Sequence, residues 1–325
     1  MDLEQIDWPT LERLRSAFLN GCAGEHDYWT TERDLTSYDQ TFAQRIGWKW
    51  DYVLSELERR GWTPPSGEVL DWGCGSGIAG RAFLDHFGIG NRSLLLWDRS
   101  ALAVRFASHR AQDRFPGLPV RVASPTPVTV DILLLSHVLT ELDDEQVERV
   151  VDLAGRATAV LWVEPGTHAV SRKLIELSER LRTSFQLVAP CPHQGACGML
   201  AEQNAPHWCH HFASPPPEVF TDGNWARFAQ LTGVDLRSLP LSFLVLDKRT
   251  APPLPTGAVR IIGRPRTYKA HALLLGCDEN GVQERQLTKR VLPDQFRLLK
   301  KGEPEPLQVW DYLEDQIIST RNINE

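Results

Sequence analysis

The chain has 325 residues, 42% of them hydrophobic and 24% charged, with a formal net charge of −7. That is length enough for two domains and an ordinary globular composition. The acidic balance excludes a protein that coats nucleic acid with its whole surface. No run approaches the roughly 20 apolar residues that span a bilayer. The polar N-terminus is neither a secretory signal nor an Arg-rich transit peptide, so a cytoplasmic monomer without a membrane partner is expected.

Residues 1–65 read as a helical extension. Apolar positions recur at helical spacing in LERLRSAFL and FAQRIGWKWDYVLSELERRGW, and Gly61 with Pro64-Pro65 stops the last helix. From Glu68 short apolar runs alternate with helices, the pattern of a doubly wound α/β sheet. EVLDWG, SLLLWDRS, PVRVAS, VDILLLSHVL and TAVLWVEPG are the predicted strands. VDILLLSHVL is apolar on both faces, as a buried parallel strand is. A long amphipathic helix, HAVSRKLIELSERLRTSF, follows.

Regularity then fails over 188–217, which is rich in Cys, His, Pro and Gly; such a loop inside a domain needs a function or a cross-link to hold it. LSFLVLDKR resumes the sheet, and APPLPTG is a linker. Residues 251–325 read as a small β module with an Asp-Glu-Asn-Gly turn and a tail. The central domain is thus expected over 66–250, with the Cys-rich stretch as an insertion. Between Pro252 and Lys301 stand ten basic and four acidic residues, a net of +6 that leaves −13 for the rest. A basic terminal module on an acidic body suits an RNA-modifying protein; a merely solvated face is the plainer alternative. Arg260, Arg264, Arg266 and Lys269 are the candidate contacts to phosphates.

Asp71-Trp72-Gly73-Cys74-Gly75-Ser76-Gly77 lies between a predicted strand and a predicted helix. Its glycines allow a tight turn and a close ligand approach, and the helix start offers free N–H groups. This D-x-G-x-G-x-G loop resembles motif I of class I S-adenosylmethionine methyltransferases, whose Rossmann-like fold is the one expected here. Asp71, Gly73, Gly75, Gly77, Ser136 and Asp98, the last at the end of the second strand, are the candidate cofactor residues. Ser136 and His137 close the fourth strand, and His137 is a weak candidate for a catalytic base. A polar residue there more often only lines the pocket, and Glu164-Pro165-Gly166 is a second pocket candidate.

Cys191, Cys197, Cys209 and Cys277 form a C-x5-C-x11-C-x67-C set, with His193, His207, His210 and His211 crowded into the same loop. Four thiolates suit an iron–sulfur cluster or tetrahedral zinc, and buried free cysteine is the third reading.

APCPHQGACGML, WCHHF, SHVLTEL, VEPGT and RIIGRPRTYKAHALLLGC, with the glycine loop, resemble the ribosomal small-subunit Rsm22 family over about residues 40–300. The resemblance implies a 4Fe–4S cluster on Cys191, Cys197, Cys209 and Cys277, with association with small-subunit rRNA during assembly. It leaves methyl transfer open: the chain is expected either to methylate that RNA or to serve as a non-catalytic assembly factor. A small-molecule methyltransferase with structural zinc is the remaining alternative. The tail of the family is matched only by Val309-Trp310-Asp311-Tyr312.

Overall fold

A computed structural model describes residues 6–19, 28–124, 129–302 and 304–324. Residues 1–5 and 20–27 of the expected helical extension lie outside the described residues. The chain divides into two compact units, each assembled from separated stretches: 1–56, 63–164 and 213–239 in the first, 57–62, 165–212 and 240–325 in the second.

The first unit carries helices α1 (Trp8–Leu19), α2 (Glu32–Asp39) and most of α3 (Phe42–Arg59) ahead of a parallel sheet. Its strands are β1 (Glu68–Trp72), β2 (Ser93–Trp97), β3 (Val120–Val122), β4 (Val130–Ser136) and β5 (Ala157–Pro165). They are ordered β3-β2-β1-β4-β5, all parallel, with helices α4 (Ile78–Phe87), α5 (Ala101–Arg114) and α6 (Asp144–Arg156) between them. This is the doubly wound parallel sheet that the alternating runs predict, in the class I S-adenosylmethionine methyltransferase fold that the resemblance of the glycine loop implies. The helix starts follow local chemistry. Thr31 with Asp34 and Asp143 with Gln146 make capping boxes, and the Ser100 side chain caps α5. Helix α8 (Gly223–Thr232) adds Trp225 and Phe228 to an apolar cluster with Ile6 and Leu11.

The second unit holds α7 (His168–Leu181), β6 (Gln186–Ala189) and β8 (Leu239–Asp247), with β6 antiparallel to β8. The expected irregular stretch contains short 3-10 turns and the three-residue strand β7 (His211–Ala213). The C-terminal β module is a closed barrel of β9 (Ala258–Thr267), β10 (His271–Asp278), β11 (Gly281–Thr288), β12 (Leu307–Leu313) and β13 (Gln316–Asn322), with helix α9 (Pro293–Lys301) between β11 and β12. Trp310, Leu274, Phe296, Leu299 and Ile317 fill its core. The Val309–Tyr312 tail segment is therefore a barrel strand, and Trp310 is 4% exposed.

The N-terminal helices brace the glycine loop electrostatically. Arg81 on α4 pairs with the buried carboxylate of Asp39 at the end of α2, and its other amine donates to the Ser76 carbonyl. Arg110 of α5 reaches the same carboxylate at 3.2 Å. Removing one member of a buried pair strands the other charge, at a cost of about 3–5 kcal/mol. Asp39→Ala is expected to lower unfolding stability by that amount in urea titrations, and Asp39→Leu with Arg81→Met to recover most of it. A single substitution costing under about 1 kcal/mol, the range of surface pairs, would contradict the bracing role.

Candidate functional site

In the first unit the loop after β1 turns through three left-handed glycines, Gly73 (φ 70), Gly75 (φ 52) and Gly77 (φ 79). Their reasons differ. A Cβ at Gly73 would meet Val138 at 2.8 Å and one at Gly77 would meet Ala107 at 2.9 Å, whereas one at Gly75 would stand in open space. Gly75 is where a ligand can approach the backbone. The N–H groups of Gly73 and Cys74 donate to the Trp97 carbonyl, and that of Gly75 donates to Asp98 Oδ2 at 2.8 Å. The predicted cofactor residues Asp71, Gly73, Gly75, Gly77 and Asp98 thus share one loop system.

Asp71 is buried and accepts from the Gly80 N–H at 2.9 Å through Oδ2; Oδ1 and the buried Ser76 hydroxyl have no hydrogen-bond partner. Burial pushes the Asp71 carboxyl up to about 7, against the pull of Arg81. Orphaned buried polar atoms beside an open glycine are what an anchored polar ligand would explain, so this loop fits S-adenosylmethionine. Sequence reasoning missed the wall around Asp98. Tyr28 donates to Glu141, Arg99 lies 5.3 Å over the Tyr28 ring, and burial raises Glu141 to about 7. Only the position of Glu141 in SHVLTEL hinted at it.

At the end of β4, Ser136 Oγ accepts from Trp50 Nε1 at 2.9 Å. His137 follows with a left-handed backbone, φ 58, which costs a non-glycine residue strain. Its Nε2 lies 3.3 Å from the Nζ of Lys49, a lysine 8% exposed on α3. Glu164 at the end of β5 fixes the turn after His137. Its Oε1 accepts from the Val138 and Leu139 N–H groups and from Trp162 Nε1, leaving Oε2 without a partner. Burial drives Lys49 down and Glu164 up, each to about 7, and holds His137 well below its usual range. The Lys49 amine, which sheds its proton near neutrality, is able to accept one, and the imidazole 3.3 Å away stays neutral.

In the second unit Cys191, Cys197, Cys209 and Cys277 converge from four places: after β6, before a 3-10 turn, before β7, and on β10. All four are free thiols. Burial raises the Cys277 thiol, and Cys191, Cys209 and Cys197 add to the shift as neighbours; Cys191 is pushed up to about 12, chiefly by burial. The pocket among them is lined by Cys191, Cys197, Cys209, Ile175 and His193. His193 Nε2 lies 3.6 Å from Cys277 Sγ, and His211 Nε2 lies 3.6 Å from Cys209 Sγ. Among the described residues no group of three or more His, Cys, Asp or Glu is placed to hold a metal ion.

The loop is held by its carbonyls. Arg60, 6% exposed, donates to Val188, Pro190 and Cys191 at 2.6, 2.7 and 3.0 Å. Ser171 and Ser242 both donate to the Cys209 carbonyl at 2.6 Å. A Cβ at Gly198 would strike Gly281 and Val282 at 2.8 Å, so only glycine lets the loop cross the β10–β11 turn.

One predicted RNA contact is corrected. Arg260 is 1% exposed, lies 5.6 Å over the Phe243 ring, and its charge is felt by Cys191 and His211. On β9 it sits opposite Cys277, under the cysteine loop and out of reach of a phosphate. Arg264, Arg266 and Lys269 are exposed.

The buried lysine gives a signed pH test. Between pH 7 and 10.5 the unfolded chain holds a proton on Lys49 that the folded chain does not, so this group makes stability rise with pH across that window. Its penalty is complete below pH 7. Lys49→Met is expected to stabilise the protein most below pH 7, with the gain fading towards pH 10.5. A gain independent of pH in denaturant titrations would contradict the shift.

Structural neighbours are low-identity methyltransferases. Magnesium protoporphyrin IX methyltransferase from Synechocystis PCC 6803 shares 12% identity over 74% of this chain and 100% of its own, at TM-score 0.38. The plantazolicin methyltransferase BamL shares 13% over 74% and 100%, at 0.39. An S-adenosylmethionine-dependent methyltransferase from Aquifex aeolicus shares 13% over 50% and 93%, at 0.38. No curated protein matches the sequence. The profile of the family described as mitochondrial small ribosomal subunit Rsm22 matches residues 52–303. That span takes in the glycine loop, the β4 end and all four cysteines, and the chain belongs to the Rsm22 family.

Proposed function

We propose that this protein binds S-adenosylmethionine and a 4Fe–4S cluster and works on the RNA of the small ribosomal subunit, in its assembly. The observation that carries the reading is the convergence of four cysteines beside two buried arginines, Arg60 and Arg260. A four-thiolate metal centre is anionic, and buried guanidinium groups offset that charge where water is excluded. A tetrahedral zinc would draw its sulfurs to within about 4 Å of one another, given bonds near 2.3 Å. A multi-iron cluster sets them farther apart, and the long C-x5-C-x11-C-x67-C spacing with its distant fourth cysteine is the feature that favours a cluster over zinc. Cys191, Cys197, Cys209 and Cys277 would hold it. When bound, it supplies a cross-link and a one-electron site. His193 and His211, each 3.6 Å from a cysteine sulfur, orient or tune those thiols from outside the ligand set.

Asp98 and the Gly73–Gly77 loop would hold S-adenosylmethionine, whose sulfonium supplies an electrophilic methyl group. The Lys49–His137 pair supports a second reading, methyl transfer to that RNA, because it gives the β4 end a proton acceptor. The non-catalytic assembly factor uses the same binding groups without that step. A small-molecule methyltransferase fits less well, since a net charge of +6 over residues 252–301 has no use for one. The compartment is the one that holds the small subunit, cytoplasm or mitochondrial matrix.

Asp98→Ala is expected to weaken S-adenosylmethionine binding at least tenfold by calorimetry, and an unchanged affinity would remove it from the site. With labelled cofactor and purified small subunits, methyl incorporation that His137→Ala abolishes would establish the catalytic reading. Binding without incorporation would establish the assembly factor. Failure to co-sediment with small subunits would overturn both.

A further inference from the structure

The C-terminal barrel closes in the order β10-β11-β13-β12-β9, β11 runs parallel to β13, and α9 lies between β11 and β12. Numbered by its own five strands, it closes 1-2-3-5-4-1 with a helix between strands 3 and 4. That is the topology of the OB fold, whose strand 2–3 face and 1–2 and 4–5 loops bind oligonucleotides or oligosaccharides. Burial alternates along β10. Ala272, Leu274 and Gly276 face the core, where a Cβ at Gly276 would meet Trp310 at 2.8 Å. His271, Leu273, Leu275 and Cys277 face outward.

The outer face has two halves. Around Cys277, Leu275, Ile262 and Val282 it is covered by Met199, Cys197 and Cys209 of the cysteine loop. The other half carries exposed groups. Arg266 lies opposite Leu273, and past the end of β9 Tyr268 is 47% exposed with its ring stacked on His271 at 4.7 Å and 17°. Lys269 follows, and Lys289 and Arg290 stand exposed beside it, the Lys289 N–H donating to Ala270. The 4–5 turn opens at the same end, since Gln316 starts β13 opposite Gln286 near the end of β11. It presents Tyr312 and Leu313, 38% and 69% exposed. At the border of the covered half, Arg264 lies 4.1 Å over the half-buried Phe212 ring.

We propose that this open half of the barrel binds single-stranded RNA, with unpaired bases stacking on Tyr268 and phosphates met by Lys269, Lys289 and Arg290, while Arg266 is ion-paired with Glu284. Exposed flat rings interleaved with cations on one barrel end are the two elements of single-strand recognition, a stacking platform and a basic track. The clustered positive charge selects a polyanion over a neutral oligosaccharide. The choice of RNA rests on the function proposed above. Cys277 on the same strand as His271 also means that the cysteine loop sets how much of the face stays open.

The test uses the full chain, with fluorescence anisotropy on a single-stranded RNA of about a dozen nucleotides, within OB-fold site sizes, and on a duplex of the same sequence. The single strand is expected to bind more tightly. Tyr268→Ala should weaken it at least about fivefold and Tyr268→Phe should retain it, as stacking requires. Lys289→Ala with Arg290→Ala should flatten the slope of log affinity against log salt by about 1.4, two single-strand phosphate contacts. Equal binding of duplex and single strand, or an unchanged Tyr268→Ala, would overturn the proposal. So would attachment to small-subunit proteins without affinity for bare RNA. Co-sedimentation with small subunits separates the two claims. Its loss with oligonucleotide binding intact sinks only the ribosomal reading; its persistence without single-strand binding sinks only this one.

Discussion

The cysteine loop brings only Met199 and its thiols to a hydrophobic cluster, so the satisfaction of its backbone polar groups is the constraint that shapes the second unit. A stretch with so little periodicity leaves its backbone carbonyls to be satisfied one at a time. Arg60 takes three of them around Cys191, and Ser171 and Ser242 take the one at Cys209. The sulfurs are then brought against the outer face of a barrel strand, where Cys277 waits. Backbone satisfaction fixes Cys191 and Cys209, and sheet register fixes Cys277.

The first unit solves a similar problem by charge. Its glycine loop must stay open at Gly75 while being fixed elsewhere. Arg81 fixes it by holding the Ser76 carbonyl with one amine and Asp39 with the other. The N-terminal helices thereby help to hold the candidate cofactor loop. They supply Lys49 and Trp50 to the end of β4 as well, so the groups that could govern a proton there come from α3 as much as from the sheet.

What could be read in the chain follows from how local its causes are. The apolar runs EVLDW, SLLLW and VDILLLS announce buried parallel strands, and the glycine loop and four cysteines stand out as residue types with few other uses. Lys49 was hidden, because in FAQRIGWKWDYVLSELERRGW a lysine looks like the polar side of an amphipathic helix; its burial depends on a fold around it. Arg260 misled for the same reason in reverse. It looks like a surface cation in a basic segment, yet β9 pairs it with Cys277 and the loop covers it. Barrel closure was also illegible, since the parallel β11–β13 pairing joins segments about 30 residues apart and no local pattern encodes it.

The central claim is that the four cysteines form one iron–sulfur site, and the most direct measurement is iron and acid-labile sulfide on protein purified without oxygen. The account predicts about four of each per chain, as a four-cysteine cubane requires, and loss of both in Cys277→Ser. Zinc in place of iron, or iron content unchanged by Cys277→Ser, would contradict it.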